Sequence, residues 1–116
     1  VNYIIDHVME PLTQKFIRKL HEILMTGTVD AYRDQVRPGE YRTITSRPRD
    51  RQLLPAGQIH SSLGELITSY EHQTEIERNH ILDFHVRFEE IFPFEDGNGR
   101  VGRLILFKEW ENFMAR

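Results

Sequence analysis

Apolar residues recur at helical spacing in four stretches of this 116-residue chain, and the breaks between those stretches leave few folds open. Leu12, Phe16, Leu20, Ile23 and Leu24 form the first set. Charged and polar residues fill the gaps, so residues 9–26 are expected as an amphipathic helix that stops at Thr26-Gly27-Thr28. Ile59, Leu63, Leu66, Ile67 and Tyr70 predict a second helix over 58–72. Thr74 with Glu77 three residues on has the form of a capping box. Behind it Ile76, Ile81, Phe84, Phe88 and Ile91 make a third apolar face. Val101, Leu104, Ile105 and Leu106 make a fourth, expected as a short helix buried on most sides.

Between the first and second helices the periodicity disappears. Pro38-Gly39, Pro48 and Pro55-Ala56-Gly57 mark turns, and Tyr41 to Thr45 has the pattern of a short extended piece. The expected fold is therefore one all-α domain over residues 1–116 with a small β-hairpin near 41–54. A hydrophobic fraction of 39% is enough for a single core.

Composition narrows the chemistry. Without cysteine there is no disulfide framework, thiol nucleophile or thiolate metal site, which fits a reducing, cytoplasmic setting. A formal net charge of -3 argues against nucleic acid as the partner. Residues 1–10 carry no basic run leading into a long apolar one, so no secretory signal is expected, and no apolar run predicts a membrane span. Arg42, Arg47, Arg49 and Arg51 cluster, with even weight given to a solvated loop. His7, His21, His60 and His72 stand as lone surface residues without a visible partner. His80 and His85, five apart, point to different sides of the third helix, and His85 is expected as a satisfied ring in a packed helix.

The chemistry concentrates in Phe94-Glu95-Asp96-Gly97-Asn98-Gly99-Arg100-Val101-Gly102-Arg103. Two glycines flank Asn98 where loop becomes helix, allowing unusual backbone angles and close approach of a ligand. The first amides of a helix lack internal partners and, with the helix dipole, attract an anion. Arg100 and Arg103, three apart, project from one side of the first turn and suit phosphate oxygens. Asp96 is placed to reach a Mg2+ bridging phosphates. No Gly-Lys-Ser/Thr follows, so this is not a Walker loop.

That decapeptide, extended back to Phe92, resembles the Fic family of protein adenylyltransferases, whose motif is His-x-Phe-x-Asp/Glu-Gly-Asn-Gly-Arg-x-x-Arg. Every fixed position matches except the first, where Phe92 replaces histidine. Phe84-His85, Phe88-Glu89, Leu104 to Glu109 and Gly39-Glu40-Tyr41-Arg42 also resemble the family. The resemblance implies an anion hole from the amides of Gly97, Asn98 and Gly99, with Asn98 also fixing the α-phosphate. It implies Mg2+ on Asp96, and phosphate on Arg100 and Arg103. Phe94 would anchor the loop. A flap including Thr43, Ile44, Thr45, Leu53 and Leu54 would pair with an unidentified target protein by strand addition. The implied reaction moves AMP from ATP to a Ser, Thr or Tyr hydroxyl.

That reaction needs a general base, and Phe92 has no lone pair. Transfer is expected to be absent or severely impaired, with phosphate binding intact. The alternatives are a non-catalytic nucleotide- or protein-binding module and a relative that transfers another phosphate-containing group. Ser61 and Glu65 have part of the spacing of the family's inhibitory helix, but Leu66 follows and the segment is expected as ordinary helix. Trp110 follows Glu109 at once, so residues are expected to be missing at 109–110 or the domain to be shortened. A thinner core would leave an apolar face for a partner chain, and an oligomer is allowed.

Overall fold

The computed structural model describes residues 2–26, 37–43 and 53–115. Among the described residues five α-helices follow in order: α1 Asn2–Asp6, α2 Gln14–Met25, α3 Ile59–Glu71, α4 Arg78–Ile91 and α5 Asn98–Met114. A single 3₁₀ turn, Ala56–Gln58, leads into α3. No strand occurs among the described residues. The expected hairpin is not supported at 41–43 or 53–54, and residues 44–52, with Ile44, Thr45, Arg47, Arg49 and Arg51, lie outside the described residues.

Local chemistry sets the helix ends. α2 begins at Gln14 rather than residue 9. Thr13 is extended at φ -137°, ψ 163°, and its hydroxyl accepts the Phe16 N–H at 3.0 Å, a side-chain N-cap. α4 is capped by Glu77, not Thr74. The Glu77 side chain accepts from the backbone of His80, whose Nδ1 accepts the Glu77 N–H at 3.0 Å. Histidine thus does the reciprocal work usually done by Glu or Gln. The fourth apolar set lies in α5, which runs 17 residues and passes Glu109-Trp110 without a break.

The core lies where α2, α3, α4 and α5 meet. Ile17, Leu20, Leu63, Ile81, Phe84, Phe88, Phe94, Val101 and Ile105 are buried there. Each large side chain so buried contributes roughly 1.5–3 kcal/mol. Ile17 takes the inward place on α2 and Ile23 is exposed. The α4–α5 seam is the most extensive, and it closes on Gly102: a Cβ there would stand 2.3 Å from Glu89 Oε1. A side chain at 102 would therefore displace the Glu89 carboxylate from the seam. Arg78 over the Trp110 ring, at 5.7 Å, marks the far end of the same antiparallel pair.

At the tail of α5 the interior is polar. Lys108 is fully buried, and its Nζ donates to Glu10 O at 2.6 Å and to Glu109 Oε2 at 2.7 Å. Tyr70 from α3 donates to the other Glu109 oxygen at 2.5 Å. A charge pair survives burial only when its remaining donors and acceptors are matched, as here.

Candidate functional site at the head of α5

Four pieces of chain converge on the turn between α4 and α5. α4 ends at Ile91, and Phe92 turns left-handed at φ 51°, ψ 60°. Pro93 disfavours right-handed helical angles at the residue before it, and the chain leaves the helix there. A bulky residue at positive φ is strained by about 1–2 kcal/mol, whereas histidine visits this region more readily. Phe94 is fully buried and stacks on His21, centroids 3.8 Å apart and planes within 3°. Gly97, at φ 85°, is the N-cap of α5.

The orphan carbonyls at the end of α4 are satisfied from a distance. Arg42 is 3% exposed, which corrects the solvated reading of its position. Its Nε donates to Phe92 O at 2.6 Å. One terminal nitrogen donates to Leu54 O at 2.7 Å and Ile91 O at 3.2 Å, and its main-chain N–H donates to Pro93 O at 2.8 Å. A cation at a helix C-terminus is also favoured by the dipole. The Thr43 N–H and hydroxyl meet Glu95 Oε1 at 3.4 and 3.5 Å. Thr43 and Leu54 are thus both fastened beside the turn.

His21 was expected at the surface and is wholly buried. Its Nδ1 accepts the Gly39 N–H at 2.9 Å, so its proton sits on Nε2, which donates to Asp96 O at 2.9 Å. Burial pushes its pKa below the ordinary histidine value, opposed by the Asp96 carbonyl. His7 is also partnered, with Nδ1 on Tyr3 O at 2.7 Å, its ring stacked on Tyr3 and Nε2 3.4 Å from Glu10. His85 is not the satisfied ring expected. Its Nδ1 and Glu89 Oε1 are buried without partners among the described residues, both groups crowding Gly102.

The donors of the turn divide into used and unused. Gly97 N–H is taken by Asp96 Oδ1 at 2.8 Å. The Asn98 side chain is also occupied: Oδ1 accepts the Phe94 N–H at 2.8 Å and Nδ2 donates to Phe94 O at 2.7 Å. It staples the loop shut. Val101 N–H bonds Gly97 O at 3.0 Å. The main-chain N–H groups of Asn98, Gly99 and Arg100 remain, with no partner among the described residues. Arg100 and Arg103 are exposed and without an ion pair among the described residues, and the Arg103 guanidinium lies 3.2 Å from where a Gly99 Cβ would sit. Asp96 is exposed, its second carboxylate oxygen unengaged.

This sequence of residues, in this geometry, is what the comparisons match. The Fic/DOC family profile matches residues 11–108. The chain belongs to the Fic/DOC family. This Fic domain also superposes on the crystal structure of a Fic family protein from Desulfovibrio desulfuricans G20, with a TM-score of 0.72 and 26% sequence identity. The match covers 98% of this chain and 36% of that one, so the Fic domain here spans about a third of that protein's length. No curated protein matches.

Within the Fic domain, the structure brings Phe92, Asp96, Gly97, Asn98, Gly99, Arg100 and Arg103 together at one turn, with Thr43 and Leu54 beside them. Leu53 is buried, and Ile44 and Thr45 lie outside the described residues. An open groove of about 620 Å³ between α3 and α4 reaches Leu54 and Ile91, but no residue from 92 to 103 lines it. The α5 head opens on the surface rather than into that groove. No described helix is long and apolar enough to cross a membrane. Sequence reading missed His21 and Arg42. Its one available signal was their chemistry: polar groups on an otherwise apolar helix face and beside a Pro-Gly turn.

Proposed function

We propose that this Fic domain binds a nucleoside triphosphate, ATP with Mg2+, and belongs to an AMP-transfer chemistry that its own sequence has disarmed at Phe92. The observation that carries the reading is the set of three amides, Asn98, Gly99 and Arg100, beside two guanidiniums, all without partners among the described residues. Aligned donors at a helix N-terminus favour negative charge, and guanidiniums meet phosphate oxygens in pairs. The free carboxylate oxygen of Asp96 suits a hard cation at the same turn. When bound, Mg2+ would neutralise phosphate charge.

The reaction proposed for the family's intact site is a displacement at phosphorus. A target Ser, Thr or Tyr oxygen bonds to the α-phosphorus, the bond to the β-phosphate oxygen breaks, and pyrophosphate leaves. The hydroxyl proton must go to a base. Position 92 offers an aromatic ring and no lone pair, so the domain holds the nucleotide and lacks the proton acceptor. The stretch from Thr43 to Leu54, tied down by Glu95 and Arg42, is the proposed flap for the target chain, in a cytoplasmic setting. Phe92 itself favours a second reading, a nucleotide-binding module that never turns over.

Calorimetry with Mg-ATP is expected to give saturable heat at up to about 1 mM nucleotide. No heat there removes the nucleotide reading. Phe92→His is expected to raise labelled AMP incorporation, into itself or added protein, by a factor of roughly 10²–10⁴. The left-handed backbone at 92 accepts histidine, so the variant should fold. A well-folded Phe92→His protein that binds ATP and incorporates nothing would leave the binding-module reading standing.

A further inference from the structure

We propose that His21 is a positioning residue for the nucleotide site. One neutral ring fixes the Asp96–Gly97 corner from behind, and so sets the direction of the Asn98, Gly99 and Arg100 amides. The inference rests on the nucleotide-binding reading and goes beyond it, because His21 lies on α2, 75 residues away from its bond to Asp96.

The geometry is specific. Gly39 N–H can only donate and Asp96 O can only accept, so both ring nitrogens are committed and one tautomer is selected. The ring face is committed as well, lying parallel to Phe94. On the other side a Cβ on Gly97 would meet His21 Cδ2 at 3.5 Å and Met25 Sδ at 3.1 Å. The corner that starts α5 is therefore held at two points, the Asp96 carbonyl by Nε2 and Phe94 by the ring face, and His21 and Met25 leave little room for a side chain at Gly97. None of these groups touches a ligand. They fix where the Asn98, Gly99 and Arg100 amides point.

Gly39 adds a consequence. The 37–43 segment carries Arg42 and Thr43, which hold both ends of the flap stretch. The same imidazole thus joins the nucleotide turn to the base of the flap.

Two substitutions split the ring's roles. In His21→Gln the amide nitrogen replaces Nε2 and keeps the bond to Asp96. In His21→Asn the side-chain oxygen replaces Nδ1 and keeps the bond to Gly39. Mg-ATP affinity by calorimetry, amide exchange at Gly39 and melting temperature are measured on both variants and on the parent protein. His21→Gln is expected to keep affinity within about threefold and to lose Gly39 protection. His21→Asn is expected to keep Gly39 protection and bind about tenfold more weakly, the loss of one hydrogen bond. If affinity simply follows melting temperature, or the two variants bind alike, His21 is a packing residue only and the inference is overturned. If the parent protein takes no nucleotide, the reading of the site falls and this inference with it.

Discussion

The two ends of α5 treat polar groups in opposite ways. At the tail, Lys108, Glu109 and Tyr70 are buried and matched atom for atom. At the head, three amides and two guanidiniums are left without partners among the described residues. The tail shows what a polar group costs when its only task is to stay folded: it must be answered. The head shows donors that fold alone does not require. Even there the neighbouring groups are satisfied, since Asn98 staples Phe94 and Asp96 Oδ1 caps Gly97. The unpaired set is small and sits at a helix N-terminus, a setting that favours an anion.

Lys108→Met should separate the two ends most sharply. It strands Glu109 in the interior and is expected to cost about 3–5 kcal/mol, read by denaturant unfolding, with Mg-ATP affinity unchanged in the folded protein. A nucleotide defect in that variant would mean the ends are not independent. Gly97→Ala works on the head. A residue at φ 85°, with its Cβ 3.1 Å from Met25 Sδ, is expected to cost about 1–3 kcal/mol and to weaken nucleotide binding as well. Loss of stability alone would show that the amides tolerate a moved corner.

The smallest effect is with pH. His21 has its folded pKa below the ordinary histidine value of about 6.5, because burial penalises the charged ring. The unfolded chain therefore takes up the proton first. Its contribution to stability is complete above the ordinary histidine value and declines as pH falls below about 6.5 toward the folded value. Melting temperature should fall over that range in the parent protein, and fall less in His21→Gln. An equal slope in both would assign the effect to other groups.

The sequence by itself marked four of the helices and the residues of the turn. Apolar spacing placed 58–72 closely, set the start of α2 five residues early at 9, and read as short the last helix, which runs 17 residues. Gly97-Asn98-Gly99-Arg100 announced the loop-to-helix corner, because glycine freedom and orphan amides are local properties. α1 was missed, since five residues carry too little periodicity. Only the tertiary structure decided which polar residues were interior. His21 meets Asp96 across 75 residues, Arg42 meets Phe92 across 50, and Lys108 meets Glu10 across 98. On the chain each is an ordinary charged or titratable residue with no partner in sight. Burial and partner come from segments that periodicity cannot relate, so their roles exist only once the helices have packed.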